Sequence, residues 1–83
     1  MEVAVGCTYK HFKNIKVKVI ALAKHSETLE KMVVYRHLDN DECWVRPYEE
    51  FVSKVDKNKY PDVTQEYRFE LIKNDWSWRN YFK

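Results

Sequence analysis

The sequence holds five side chains of the types that bind metal ions in proteins, two cysteines and three histidines. They stand at wide intervals, with no Cys-x-x-Cys or His-x-x-x-His pair that would bring two ligands to one ion. The spacing therefore predicts neither a metal site nor a cofactor. We expect the two thiols to fill the core as small apolar groups. The five residues are Cys7, His11, His25, His37 and Cys43.

A nucleophile with a histidine as its base could be built from Ser26, which follows His25 and precedes Glu27, or from Cys7. Neighbouring residues in a turn point in different directions, however. Serine and glutamate side chains at such a position more simply hydrogen-bond the backbone of a hairpin connection. We therefore expect no catalytic residue, and a small hydrolase is the weakest of the functional alternatives.

Basic and aromatic side chains alternate in residues 9–18, where Tyr9-Lys10-His11-Phe12-Lys13 is followed by Lys16 and Lys18. Small barrels hold single-stranded nucleic acid with such pairs of stacking faces and cations. The net charge of +2 is modest for a nucleic-acid-binding protein. The segment therefore gives nucleic-acid binding as the second functional hypothesis.

The first hypothesis is a non-catalytic module that binds a protein or peptide partner. Trp44, Arg46 and Tyr35 supply the aromatic and guanidinium groups that dominate protein interfaces. Arg46 could also pair with Glu27, Glu49 or Glu50 and hold the turn after Pro47, and Trp44 could equally belong to the core. Our full set of candidate ligand-binding residues is Tyr9, His11, Lys13, His25, Glu27, Tyr35, Trp44 and Arg46.

The 83 residues allow one small domain, and their periodicity favours strands. Apolar residues occupy every odd position from Ile15 to Ala23, as in a half-buried strand. Further strands are predicted at residues 30–38, 43–46 and 67–71. One helical turn is predicted at 48–53 with Pro47 at its first position, and the i, i+3, i+4 spacing places Tyr48, Phe51 and Val52 on one face. The polar stretch 56–65 is predicted to be a surface loop.

Turns are the unusual feature, because Gly6 is the only glycine. Asparagine tolerates the left-handed backbone conformation better than most other residues with a β-carbon. We therefore expect asparagines at the bends between elements. The candidates are Asn14, Asn40, Asn58 and Asn74.

Five short strands and a helical turn in so short a chain predict a mainly β fold, a small SH3-like barrel formed by residues 1–73. An OB-like barrel, or an α+β fold with a C-terminal helix, is the alternative. The aromatic tail at 74–83 is expected to pack on the barrel or, through residues 75–83, to form a self-association surface.

Several blocks of the sequence occur in the order of a known family. They are Gly6-x-x-Tyr9-x-His11-Phe12-Lys13, His25-Ser26-Glu27-Thr28-Leu29-Glu30, Val33-Val34-Tyr35, Trp44-Val45-Arg46-Pro47 with Phe51, and Arg68-Phe69. They resemble the bacterial family called domain of unknown function 1653, mainly over residues 6 to about 55. The family usually has glycine where Asn14 stands, often has tyrosine near Val17, and lacks the aromatic tail. The resemblance implies a compact β domain, and it implies no enzymatic activity because none is established for the family.

The longest apolar run, Val19-Ile20-Ala21-Leu22-Ala23, is far shorter than the ~20 residues that cross a membrane. Glu2 stands where a signal peptide would carry positive charge. Two cysteines are also too few for a disulfide framework. We therefore expect a cytoplasmic protein with no membrane partner.

Overall fold

A computed structural model describes residues 2–73, which form five antiparallel strands and one short helix. The strands lie side by side in one sheet in the order β4-β3-β2-β1-β5. The predicted mainly β fold is confirmed. In chain order the elements are β1 (Thr8–His11), β2 (Ile15–Lys24), β3 (Lys31–His37), β4 (Cys43–Pro47), α1 (Tyr48–Phe51) and β5 (Phe69–Lys73).

The sheet is strongly curled. Tyr35 in β3 and Phe69 in β5 are three strand positions apart, which would separate them by about 14 Å in a flat sheet. Their ring centroids lie only 5.7 Å apart. This curl, the strand order and the helix between β4 and β5 make the domain an SH3-like barrel rather than an OB-like one. In residues 2–73 no strand pairing joins the edges β4 and β5, so the barrel is open between them.

The helix α1 supplies the centre of the core. Phe51 is fully buried and stacks on Phe69, with ring centroids 4.0 Å apart. Its ring also lies 5.5 Å from that of Tyr9 and 5.7 Å from that of Tyr35. As predicted from the i, i+3, i+4 spacing, Tyr48 and Val52 pack against the same core. Pro47 ends β4 and directly precedes the helix rather than forming its first residue.

A β-bulge limits the alternation predicted for β2. Val17 and Val19 point into the barrel, but the register with β3 shifts between Val19 and Ala21. Beyond the extra residue Ile20, Leu22 lies opposite the buried Val33 and therefore shares its face. The prediction that Ala21 would face inward is wrong for this reason.

Two other expectations need correction. Asn14 adopts a positive φ of 67°, as predicted, but in the β3–β4 turn Asp41 takes that conformation, with φ 60°, rather than Asn40. Asn58 lies in a turn as expected but without a positive φ. Cys7 is buried, whereas Cys43 is exposed. Trp44 and Arg46 lie opposite the buried Tyr35 and Val33 and share their face of the sheet, so Cys43 lies on the outer face of the edge strand β4.

The expectations for the aromatic tail at residues 74–83, including a C-terminal helix and a self-association surface at 75–83, fall outside the described residues. Within residues 2–73, no helix has the length and apolar character that a membrane span requires.

Candidate functional site

A cavity of about 410 Å³ opens at one end of the barrel. The turn after β1, the ends of β3 and β4, and the segment before β5 form its walls. Because the strands alternate, His11, Tyr35 and Arg46 point into the barrel and reach this cavity from three different strands.

The loop from residue 53 to 68 closes one side of the cavity. Its two ends are joined where the amide of Arg68 donates to the carbonyl of Ser53, at 2.9 Å. Gln65 fastens the loop to β1 because its Nε2 donates to the Lys10 carbonyl at 3.0 Å. Lys57 holds the loop together internally, donating from Nζ to the carbonyls of Val63 and Gln65. The predicted surface loop therefore has a defined conformation against the barrel end.

Aromatic rings line much of the cavity. Phe12 lies 4.4 Å from His11 and 4.9 Å from Tyr60, measured between ring centroids. On the other side, Tyr35 and His37 are stacked 6.0 Å apart. Trp44 does not line the cavity but stacks on His37 at 5.6 Å and is 49% exposed. The aromatic wall therefore continues from the cavity into solvent.

Four cationic side chains line the cavity together with one carboxylate among the described lining residues. The carboxylate, Asp56, already accepts hydrogen bonds from the amides of Asn58 and Lys59 through Oδ1, at 3.0 and 3.3 Å. Positive charge therefore dominates the cavity. The four cations are Lys13, Arg46, Lys59 and Arg68.

Arg46 is the most constrained of these cations. Its Nε donates to the Tyr35 hydroxyl at 3.4 Å, and its Nη1 pairs with Glu50 Oε1 at 3.3 Å. Its guanidinium also lies over the Phe69 ring, 5.8 Å from the centroid. Of the three acidic partners considered for Arg46 in the sequence, Glu50 is the one that pairs with it.

The other cations keep free donors. Arg68 Nε donates to Ser53 Oγ at 3.3 Å, while Lys13 and Lys59 each place Nζ 5.5 Å from the Tyr60 ring centroid. Among residues 2–73, none of these three forms an ion pair with a carboxylate. They can therefore meet an anionic ligand without first breaking a salt bridge.

His11 is neutral in this surrounding. Burial lowers its pKa to about 4, and the charges of Arg46, Arg68, Lys13 and His37 add to the effect. Its Nδ1 accepts the amide hydrogen of Lys13 at 3.1 Å, so we assign the ring hydrogen to Nε2. The lysines, the arginines and the Nε2 of His11 therefore present hydrogen-bond donors to the cavity, and Asp56 is the acceptor among the charged groups. This arrangement favours a ligand that is rich in hydrogen-bond acceptors.

The candidate residues from the sequence divide into three groups. His11, Lys13, Tyr35 and Arg46 meet at the cavity, and Trp44 adjoins it. Tyr9 is instead a core residue, 1% exposed, and its hydroxyl accepts the amide hydrogen of Ala4 at 2.9 Å. It cannot contact a ligand because its neighbours in the core enclose it.

His25 and Glu27 lie in the connection between β2 and β3 and do not line the cavity. His25 Nδ1 accepts the amide hydrogens of Glu27 and Thr28, at 3.1 and 3.3 Å. No hydrogen bond in the described part of the chain joins Ser26 to His25. Within residues 2–73, no three His, Cys, Asp or Glu side chains are grouped so that they could hold a metal ion.

The candidate set from the sequence missed most of the residues that line the cavity, among them Phe12, Lys59 and Tyr60. Phe12 and Lys13 both reach it because the chain leaves the strand after His11, which ends the strict alternation of faces. Lys59 and Tyr60 repeat the pairing of a cation with an aromatic ring found at Phe12 and Lys13, and this was the one signal that could have identified them.

A family model described as "Protein of unknown function (DUF1653)" matches residues 7–71. The match also covers the segment between the blocks noted in the sequence, which contains Lys59 and Tyr60 of the cavity. No curated protein and no solved structure matches the chain. Since the matched segment spans most of the 83 residues, the chain belongs to the DUF1653 family of proteins of unknown function.

Proposed function

We propose that this protein is a small non-catalytic binding module that holds an acidic group of a protein or peptide partner in the cavity. The observation that carries the proposal is the charge of the cavity, where four cations face one carboxylate between aromatic walls. An acidic side chain or a terminal carboxylate would accept hydrogen bonds from the arginines, and its neighbours would pack on the rings.

The arrangement supports a peptide better than a nucleic-acid strand. The basic and aromatic segment 9–18 does not form one continuous strip. Its side chains are divided between two faces, because His11 and Lys13 reach the cavity. Lys10 and Lys16 instead lie opposite each other on the outer face of the sheet. A strand of nucleic acid needs a track of cations along its backbone. A single cavity with exposed aromatic surface at Trp44 instead suits one anchoring side chain.

The proposal also includes a location in the bacterial cytoplasm. The resemblance described for the sequence is to a bacterial family. Cys43 is an exposed free thiol, as reducing cytosol permits.

A peptide array would test the proposal. Short capped peptides that differ only in Glu against Gln at a central position are probed with the full chain, and we expect retention only on the acidic members. The variant K13Q/K59Q removes two charges at the cavity, and K16Q/K24Q removes two exposed charges elsewhere. We expect only the first to lose binding. Equal retention of Glu and Gln peptides, or loss with K16Q/K24Q alone, would contradict the proposal.

A further inference from the structure

The number of cations at the cavity exceeds what one carboxylate can balance. Because Glu50 neutralises Arg46, the cations Lys13, Arg46, Lys59 and Arg68 against the two carboxylates Asp56 and Glu50 leave an excess of two positive charges, 4 minus 2. The Glu50 carboxylate that pairs with Arg46 is 55% exposed and does not line the cavity. A phosphate monoester carries about −1.5 to −2 at pH 7 and three acceptor oxygens, so it matches this excess better than a carboxylate does.

The cations are arranged by depth. The Arg46 side chain is only 27% exposed and is fixed by Tyr35 and Glu50, whereas Lys13 and Lys59 are exposed. Guanidinium groups bind phosphate through two parallel hydrogen bonds, while ammonium groups act as mobile point charges. Arg46 uses Nε and Nη1 for Tyr35 and Glu50, so a phosphate would bind the edge of Arg68 and the remaining Nη2 of Arg46, with the lysines screening it near the opening.

Between these positions the walls are aromatic. Phe12 and Tyr60 form one side and His37 the other. A cavity of about 410 Å³ is far larger than an acidic group alone requires, and it falls in the range of small-molecule pockets. The space between the opening of the cavity and the guanidinium groups therefore suits a planar ring that carries the phosphate.

Next to the cavity lies the edge strand β4, which within residues 2–73 is paired on one side only. In the described residues β4 pairs with β3 only, so one side of Cys43–Pro47 keeps unpaired backbone groups. An extended peptide can add to such an edge. Trp44 and Arg46 belong to this edge strand, and Arg46 also lines the cavity. This proximity favours a peptide over a mononucleotide as the molecule that carries the ring.

We propose that the acidic group recognised by the cavity is the phosphate of a phosphotyrosine in an extended peptide. The inference rests on the proposed function and narrows it. The ring lies between Phe12, Tyr60 and His37, the phosphate meets Arg46 and Arg68, and the flanking peptide runs along β4.

The test is a titration of the full chain, followed by NMR, with four capped tripeptides of the form Gly-X-Gly. The residue X is phosphotyrosine, sulfotyrosine, tyrosine or glutamate. We expect the phosphotyrosine peptide to bind at least about tenfold more tightly than the glutamate and sulfotyrosine peptides, because only phosphate is a dianion. The tyrosine peptide should not bind.

The outcomes separate the two proposals. If the glutamate or sulfotyrosine peptide binds as tightly as the phosphotyrosine peptide, the inference is wrong while acidic-group binding stands. If no acidic peptide binds, the proposed function itself fails. Adenosine monophosphate is titrated as well, and if this nucleotide binds more tightly than the phosphotyrosine peptide, the ligand is not a phosphopeptide and the inference is wrong.

Two variants test the position of the phosphate. In R68Q the affinity for the phosphotyrosine peptide should fall at least about tenfold, whereas R36Q, on the outer face, should leave it unchanged.

Discussion

The guanidinium carbon of Arg46 lies 5.8 Å from the centre of the Phe69 ring, although these residues belong to β4 and β5, the two edges of the sheet. Only the curl of the sheet brings them together. Phe69 belongs to the core, and both Phe69 and Arg46 line the cavity. The curl of the sheet that completes the core therefore also forms the cavity.

Removing this contact should cost stability as well as binding. We expect R46Q to lower the free energy of unfolding by about 1 kcal/mol, since it removes a partly exposed ion pair and a cation–π contact. The variant E50Q removes the ion pair alone and should cost about 0.5 kcal/mol or less. Urea unfolding of both variants checks the difference. A loss in E50Q as large as in R46Q would show that the stacking on Phe69 contributes nothing.

Leu29 provides a test of backbone strain. It adopts φ 63° in the connection between β2 and β3, and its side chain is 68% exposed. A left-handed conformation costs a residue with a β-carbon roughly 1 kcal/mol. We therefore expect L29G to raise the free energy of unfolding by about 0.5–1 kcal/mol, measured by urea unfolding. The neighbouring S26G, at a position without positive φ, should instead lower it. A decrease in L29G would contradict the strain.

His11 should make stability depend on pH in a defined window. Its folded pKa is about 4, whereas the unfolded chain takes up the proton near 6.5. Between these values the unfolded state binds more protons, so the free energy of unfolding falls as the pH drops from 6.5 to 4. The variant H11N should show a shallower fall over this window in urea unfolding at several pH values. An unchanged slope would mean that folding does not lower the pKa of His11.

The sequence allowed much of the fold to be predicted because its local signals agree. Alternation identified β2 as far as Val19, and the spacing of Tyr48, Phe51 and Val52 identified the helix face. The bulge at Ile20 was not predictable, since the apolar run continues through it. Asn40 and Asp41 both tolerate the left-handed conformation, so the sequence did not distinguish which of them would adopt it.

The cavity was predictable only in part. Arg46, Tyr35 and His11 carry chemistry that stands out in the sequence, and strand geometry turns them inward. The contact of Phe12 with Tyr60 spans a long loop, and no periodicity links residues so far apart. Likewise, nothing local distinguishes Tyr9 from an exposed tyrosine, since its burial depends on Phe51 arriving from α1.

The most direct test of the cavity as an anion-binding site is an NMR titration that observes the Nε–H groups of the arginines. Phenyl phosphate and benzoate serve as probes for the full chain. We expect the signals of Arg46 and Arg68 to shift along one saturating curve with at least one probe, while that of Arg36, paired with Asp41 on the outer face, stays in place. Equal shifts at Arg36, or no saturating shift at Arg46 and Arg68 with either probe, would contradict the account.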